Sequence, residues 1–166
     1  EGNQNINFGI FGDYSWRNVN LFGEVARSKS GGFGGVFGAI TNLTAKLEST
    51  IAIRNYQRDF HTFYGTAFGE SNRNINESGW YWGLKYTFSR KLLATAYFDS
   101  FRFPWLRSSI NAPSKGYEYL TRITYNPTRE IAIYGQFREE SKAENPSADE
   151  QDNPVRTPMQ GIKRNY

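Results

Sequence analysis

The 166-residue chain has no cysteine, one histidine and one methionine. Without thiols there is no disulfide scaffold and no thiolate metal centre, and a lone histidine excludes a histidine-rich metal site. Long apolar runs are missing as well. Mean hydropathy is −0.68, and no stretch approaches the roughly 18 apolar residues that a membrane-crossing helix needs. The 20 basic and 16 acidic residues are interspersed, which gives too weak a field to argue for nucleic acid by itself. No initiator methionine or signal peptide opens the chain, so residue 1 is not expected to be the start of the gene product. Aromatic residues are abundant: 13 Phe, 11 Tyr and 4 Trp make up 17% of the chain. That ring content excludes a disordered polymer.

The dominant pattern has a period of two, which puts successive side chains on opposite faces of a strand. From Gly79 to Phe88, Trp80, Trp82, Leu84, Tyr86 and Phe88 share one face, and Tyr81, Gly83, Lys85 and Thr87 share the other. The same alternation recurs in segments around Ile10, Leu21, Ile51, Ala96, Tyr119 and Ile133, with a glycine-loaded stretch over 33–41. About eight strands are predicted. Short links near Asn18, over 42–44, 89–91 and 126–129 read as hairpin turns. Longer links at 28–32, 57–78 and 103–116 alternate with them.

An antiparallel up-and-down transmembrane β-barrel accounts for this pattern. Such a barrel faces lipid with apolar side chains and the lumen with polar ones, and it collects long loops at one end. The predicted lumen face carries Asp13, Glu24, Glu48, Arg54, Lys85, Asp99, Arg122 and Arg138, with opposite signs close enough to pair. Tyr14, Trp16, Trp80, Trp82, Tyr86, Phe88 and Tyr125 fit aromatic girdles at the membrane interfaces. Residues 1–140 are assigned to the strands, and 141–166 to a flexible polar loop or tail leading to a missing strand. Because the first connection is a short turn, both chain ends are expected on the outer side, and the chain reads as a piece of a larger barrel. The competing reading is a soluble secreted β-sandwich that binds carbohydrate through exposed aromatics.

Several segments resemble a known family. The run Ile53-Arg54-Asn55-Tyr56-Gln57-Arg58-Asp59-Phe60-His61, then 64–70, then Tyr97-Phe98-Asp99-Ser100-Phe101-Arg102-Phe103-Pro104-Trp105-Leu106-Arg107 and Ala112-Pro113-Ser114, is similar to the barrel region of Bacteroidota outer-membrane proteins named for a helix-hairpin-helix domain. The resemblance implies a large barrel and a Gram-negative outer-membrane location; for such a barrel segment a role as pore wall, plugged scaffold or docking surface is expected, with outer-membrane lipid or lipopolysaccharide and other envelope proteins as partners. It ties nucleic acid only to a region absent from this chain. It transfers no catalytic motif.

Other candidates have plainer readings. His61 beside Asp59, with Ser71 and Ser78 beyond, does not have the spacing of a hydrolase triad. The glycines of 31–38 lack the Lys-Ser/Thr signature of a phosphate loop and suit strand curvature better. Phe101, Phe103, Pro104 and Trp105, interleaved with Arg102 and Arg107, are expected to anchor an outer loop on the barrel rim. No catalytic, cofactor-binding or metal-binding residue is assigned, and no enzymatic activity is expected.

Overall fold

In the computed structural model the described residues are 5–62, 67–71, 73–107, 110–145 and 158–166. They form nine strands and no helix. These are β1 (Asn7–Trp16), β2 (Val19–Ser28), β3 (Phe33–Asn42), β4 (Leu47–Tyr56), β5 (Glu77–Ser89), β6 (Leu92–Phe103), β7 (Ser114–Tyr125), β8 (Ile133–Glu144) and β9 (Met159–Asn165). Each pairs antiparallel with the next in chain order, giving one up-and-down sheet. The sheet is not closed: β1 and β9 are its two edges.

The all-β meander agrees with the sequence pattern, but three features differ from expectation. A ninth strand forms where a flexible tail was predicted: β8 runs on through Glu144, and Met159–Asn165 pairs with it. Ladder hydrogen bonds and the pairing of Lys163 with Glu144 (3.1 Å) and Arg164 with Glu139 (2.7 Å) hold this segment, although it is too polar to be recognised by hydrophobic alternation. With nine strands, β9 heads back toward the short-turn end, so the two described termini point to opposite ends of the sheet. Connection lengths are also less regular than predicted. The β2–β3 link, 29–32, is no longer than the β3–β4 turn, 43–46, whereas 57–76 and 104–113 are long.

Residues directly opposite in an antiparallel ladder share a face. The register carries one face through Glu24↔Val36, Val36↔Arg54, Arg54↔Gly79, Gly79↔Phe101 and Phe101↔Gly116. By the same rule Asp13, Glu24, Glu48, Arg54, Lys85, Asp99, Arg122 and Arg138 all lie on this polar face. The opposite, apolar face holds Tyr14, Trp16, Trp80, Trp82, Tyr86 and Tyr125. The Phe88 ring meets Tyr86 edge-on at 4.6 Å, next to a bulge between Thr87 and Ser89.

Solvent exposure is inverted relative to a water-soluble sheet. On the apolar face Ile10 is 82% exposed, Ile51 54% and Trp82 43%. The buried hydrophobic residues Ala52, Tyr56, Phe101 and Phe103 belong instead to the polar face, with Phe60 packed above them. No second sheet covers the apolar face among the described residues. Among the described residues the dry cluster therefore sits at the long-loop end, where 57–62, 67–71 and 73–76 fold over the polar face.

Candidate functional site

The feature that organises the polar face is a buried charge cluster at the mouth of the long loops. Alternation in β4 directs Arg54 to this face, and the register sets it against β5, where Gly79 leaves room for the guanidinium. A Cβ at Gly79 would lie 2.7 Å from Arg54 Cζ. Arg54 Nε donates to Glu77 Oε1 at 2.6 Å, and its two terminal nitrogens donate to the two oxygens of Asp99 at 2.8 and 3.1 Å. The Arg54 side chain is fully buried and Glu77 is 1% exposed. Burial of three charges is tolerable because every oxygen and nitrogen of the cluster is directed at a partner.

Glu77 does a second job. Its carboxylate accepts the backbone N–H groups of Glu70 at 2.8 Å and Ser71 at 2.9 Å. A charge paired below to the sheet thus fixes the loop above. Tyr56, also on the polar face, donates its hydroxyl to the Phe68 carbonyl at 2.8 Å. The Phe68 ring meets Tyr81 edge-on at 5.3 Å, and the Arg54 guanidinium lies 5.1 Å from its centre. The loop is tied at its flanks too. Asn5 donates to the His61 carbonyl at 2.8 Å, Ser28 donates to the Asp59 carbonyl at 3.2 Å, and Lys142 of β8 pairs with Glu70. Burial pushes the Glu70 carboxyl above its ordinary range, against the opposing pull of Lys142.

Asn76, in a left-handed conformation (φ 55°), clasps the second long loop. Its side-chain amide donates to the Trp105 carbonyl and accepts the Trp105 N–H, both at 2.9 Å. Arg58 stacks on the Trp105 ring at 4.8 Å. This corrects the predicted anchor in part. Phe101 and Phe103 are the last polar-face residues of β6, not loop residues, because the alternation of Tyr97 and Asp99 continues through them. They are 3% and 2% exposed. Trp105 is held by its backbone while the residue remains 52% exposed, and Pro104 is exposed.

A second network follows along β6 to β8. Asp99 lies opposite Glu118, and Glu118 opposite Glu140. Three neighbouring carboxylates are neutralised by cations between them: Arg138 donates to Glu118 at 2.5 Å and to Glu140 at 3.1 Å, and Lys142 pairs with Glu140 at 2.6 Å. Tyr97 donates its hydroxyl to Glu118. Toward the short turns, Arg122 is held by Gln136 at 2.6 Å, and Lys85 and Glu48 approach to 3.7 Å. Asp13 and Glu24 share the face, and neither has an ion-pair partner among the described residues. Reading the sequence alone missed Glu77, Tyr56 and the Tyr97–Glu118 contact. Glu77 was available in principle, since it stands two residues before Gly79 on the same strand parity.

Between the loop and the polar face of β1–β4 is a cleft of about 410 Å³, lined by Asn7, Glu24, Tyr56, Phe60 and Phe68 among others. Gly34 is what lets the loop close on it, because a Cβ there would come within 2.4 Å of the Phe60 ring. Gly34→Ala is expected to push Phe60 out and loosen 57–76. Overpacking costs about 1–3 kcal/mol, so limited tryptic cleavage after Arg58 or Arg73 should accelerate roughly tenfold, read by mass spectrometry. The other conjectured constellations do not assemble. Ser78 lies on the apolar face, level with Asn55 and Arg102, whereas Asp59 and His61 use their carbonyls to hold the loop. The glycines at 34, 35 and 38 belong to β3. Among the described residues no group of three His, Asp or Glu is arranged to hold a metal ion.

No family model matches the chain, and no curated protein or solved structure matches it.

Proposed function

We propose that this protein forms part of the wall of a transmembrane β-barrel in the outer membrane of a Gram-negative bacterium. In this reading it is not an enzyme, and it serves as a plugged scaffold or docking wall more than as an open pore. The observation that carries the reading is the inverted exposure of the sheet: rings and aliphatic chains stand bare on one face, and every ion pair among the described residues except Glu139–Arg164 lies on the other. In water that arrangement leaves the apolar face without a partner, at a cost of about 25 cal/mol per Å². In hydrocarbon the same face is solvated and the ion pairs are shielded. Strands β1–β8 have 10 to 13 residues, in line with the roughly 9–11 residues of a tilted membrane strand. Trp82 supports it in detail: its indole N–H is satisfied within the face by Ser49 Oγ at 3.1 Å, so the ring needs no water.

The preference for a plugged wall comes from the described residues of the β4–β5 loop, 57–62, 67–71 and 73–76, whose many ties hold them across the polar face. Strand direction adds a geometric condition. In an unbroken antiparallel meander the first and ninth strands run the same way, so β1 and β9 can join into a wholly antiparallel barrel only through an odd number of intervening strands. Hydrocarbon does not tolerate unpaired edges; those strands come from this chain or from a second one.

Lipid contact is directly measurable. A form of the protein that keeps Trp82 as its sole tryptophan, refolded into vesicles of phospholipid brominated on the acyl chains, should lose most of its fluorescence relative to unbrominated vesicles. A form keeping only Trp105 should lose little. Absence of quenching in both forms would remove the membrane reading and favour a water-soluble sheet.

A further inference from the structure

The four short connections at one end of the sheet, 17–18, 43–46, 90–91 and 126–132, carry Arg17, Lys46, Arg90, Lys91 and Arg129 against the single acid Glu130. All five basic residues are exposed. None of them is in an ion pair among the described residues, in contrast to Arg54, Arg138, Lys142 and Arg164 elsewhere. The contacts they do make point the same way. The Arg17 guanidinium lies 5.0 Å from the Trp16 ring, and Lys46 Nζ reaches the Phe88 carbonyl at 3.5 Å. Immediately beside this fringe, on the apolar face, stand Trp16, Tyr86 and Tyr125, with the Phe88 ring against Tyr86.

An aromatic row bordered by unpaired Lys and Arg combines two marks of a membrane interface facing anionic headgroups. The rings favour the headgroup level, and each cation gains from nearby lipid phosphate. At the long-loop end Arg54, Lys142 and Lys163 pair with Glu77, Glu70 and Glu144, while Arg58, Arg102, Arg107 and Lys115 have no ion pair among the described residues; what sets the short-turn end apart is that its cations sit on tight turns beside the aromatic row. We infer that the short-turn end of the sheet is a docking edge for anionic phospholipid headgroups, with Arg90, Lys91 and Arg129 at its centre and Lys46 and Arg17 beside them. Arg90, Lys91 and Arg129 line one open depression between neighbouring turns, together with Asn126 and Thr128, so phosphate oxygens entering there meet several donors. This inference rests on the membrane reading above and deepens it by naming the lipid class.

The test is lipid retention. The protein is refolded into vesicles of phosphatidylcholine mixed with phosphatidylglycerol, extracted in mild detergent, and the bound lipids are measured by native mass spectrometry. Phosphatidylglycerol should be retained about five-fold over its share of the mixture, what one basic side chain near an anionic surface contributes. The excess should disappear at high salt and in the combined variant Lys46→Gln, Arg90→Gln, Lys91→Gln, Arg129→Gln. Arg17 is kept because its backbone is left-handed (φ 53°). Inorganic phosphate should not displace the lipid, since the headgroup is held at the bilayer surface. A control, Arg102→Gln with Lys115→Gln at the long-loop end, should retain the excess. Incorporation without any excess overturns this inference and leaves the membrane reading intact. An excess lost only in the control variant, or displaced by free phosphate, also overturns it. Failure to enter vesicles of any composition overturns both.

Discussion

Arg54→Met should be the most destabilising single change in the molecule. The substitution keeps the length and apolar stem of the side chain and removes the cation that pairs with Glu77 and Asp99. Two carboxylates then remain under the loop, Glu77 with 1% exposure and Asp99 with 14%, and an uncompensated buried charge costs about 3–5 kcal/mol. Loss of that size should lower the urea midpoint of the detergent-refolded protein markedly. It should also release residues 67–71, because the carboxylate that holds their N–H groups is no longer anchored. The cause can be isolated. Adding Glu77→Gln and Asp99→Asn to Arg54→Met removes the orphaned charges while the amide oxygen introduced by Glu77→Gln still accepts an N–H, and most of the loss should be recovered. If the triple variant is no more stable than Arg54→Met alone, the cost comes from packing around Phe68 and Gly79 and not from charge.

This cluster also marks the limit of what the chain reveals before it folds. The two faces were legible because alternation is a local property. Trp80 and Trp82 stand on one parity and Tyr81 and Lys85 on the other whatever their neighbours do, and the register then aligned those parities across the sheet. Hydrogen-bonding partners are non-local. Nothing between Arg54 and Asp99 in the sequence says that they meet, and only the pairing of β4 with β5 and of β5 with β6 brings them together. The loop was legible as a long connection, but its destination was not. Its fit depends on residues that look ordinary singly: the bare Cα of Gly34 under Phe60 and the left-handed turn at Asn76. The ninth strand escaped notice for the opposite reason. Gln160, Ile162 and Arg164 alternate with Met159, Gly161 and Lys163, a segment with little hydrophobic contrast, so its strand character comes from the ladder with β8 and from ion pairs to Glu139 and Glu144.

Ile51→Lys separates the membrane and aqueous readings most sharply, because they assign it effects of different size. Ile51 lies near the middle of β4 on the apolar face, opposite Ala39 and Trp82, and is 54% exposed. For a sheet whose apolar face meets water, a lysine at so exposed a position is a surface change within about ±0.5 kcal/mol, and it should improve solubility. For a sheet whose face meets hydrocarbon, a cation near the bilayer midplane costs about 2–4 kcal/mol. The side chain is too far from either rim for its ammonium to reach water without distorting the sheet or the bilayer. Folding of Ile51→Lys into phospholipid vesicles, followed by protease protection, should therefore be strongly impaired. A matching change on the other face, Thr50→Lys, gives the reference. Thr50 lies opposite Ile40 and Gly83 on the polar face, where a lumen-side cation has polar neighbours, so that variant should assemble nearly as well as the parent. Equal assembly of Ile51→Lys and Thr50→Lys would mean that the two faces meet the same solvent, and the bare aliphatic side chains of β4 and rings of β5 would then require a protein surface to cover them instead of lipid.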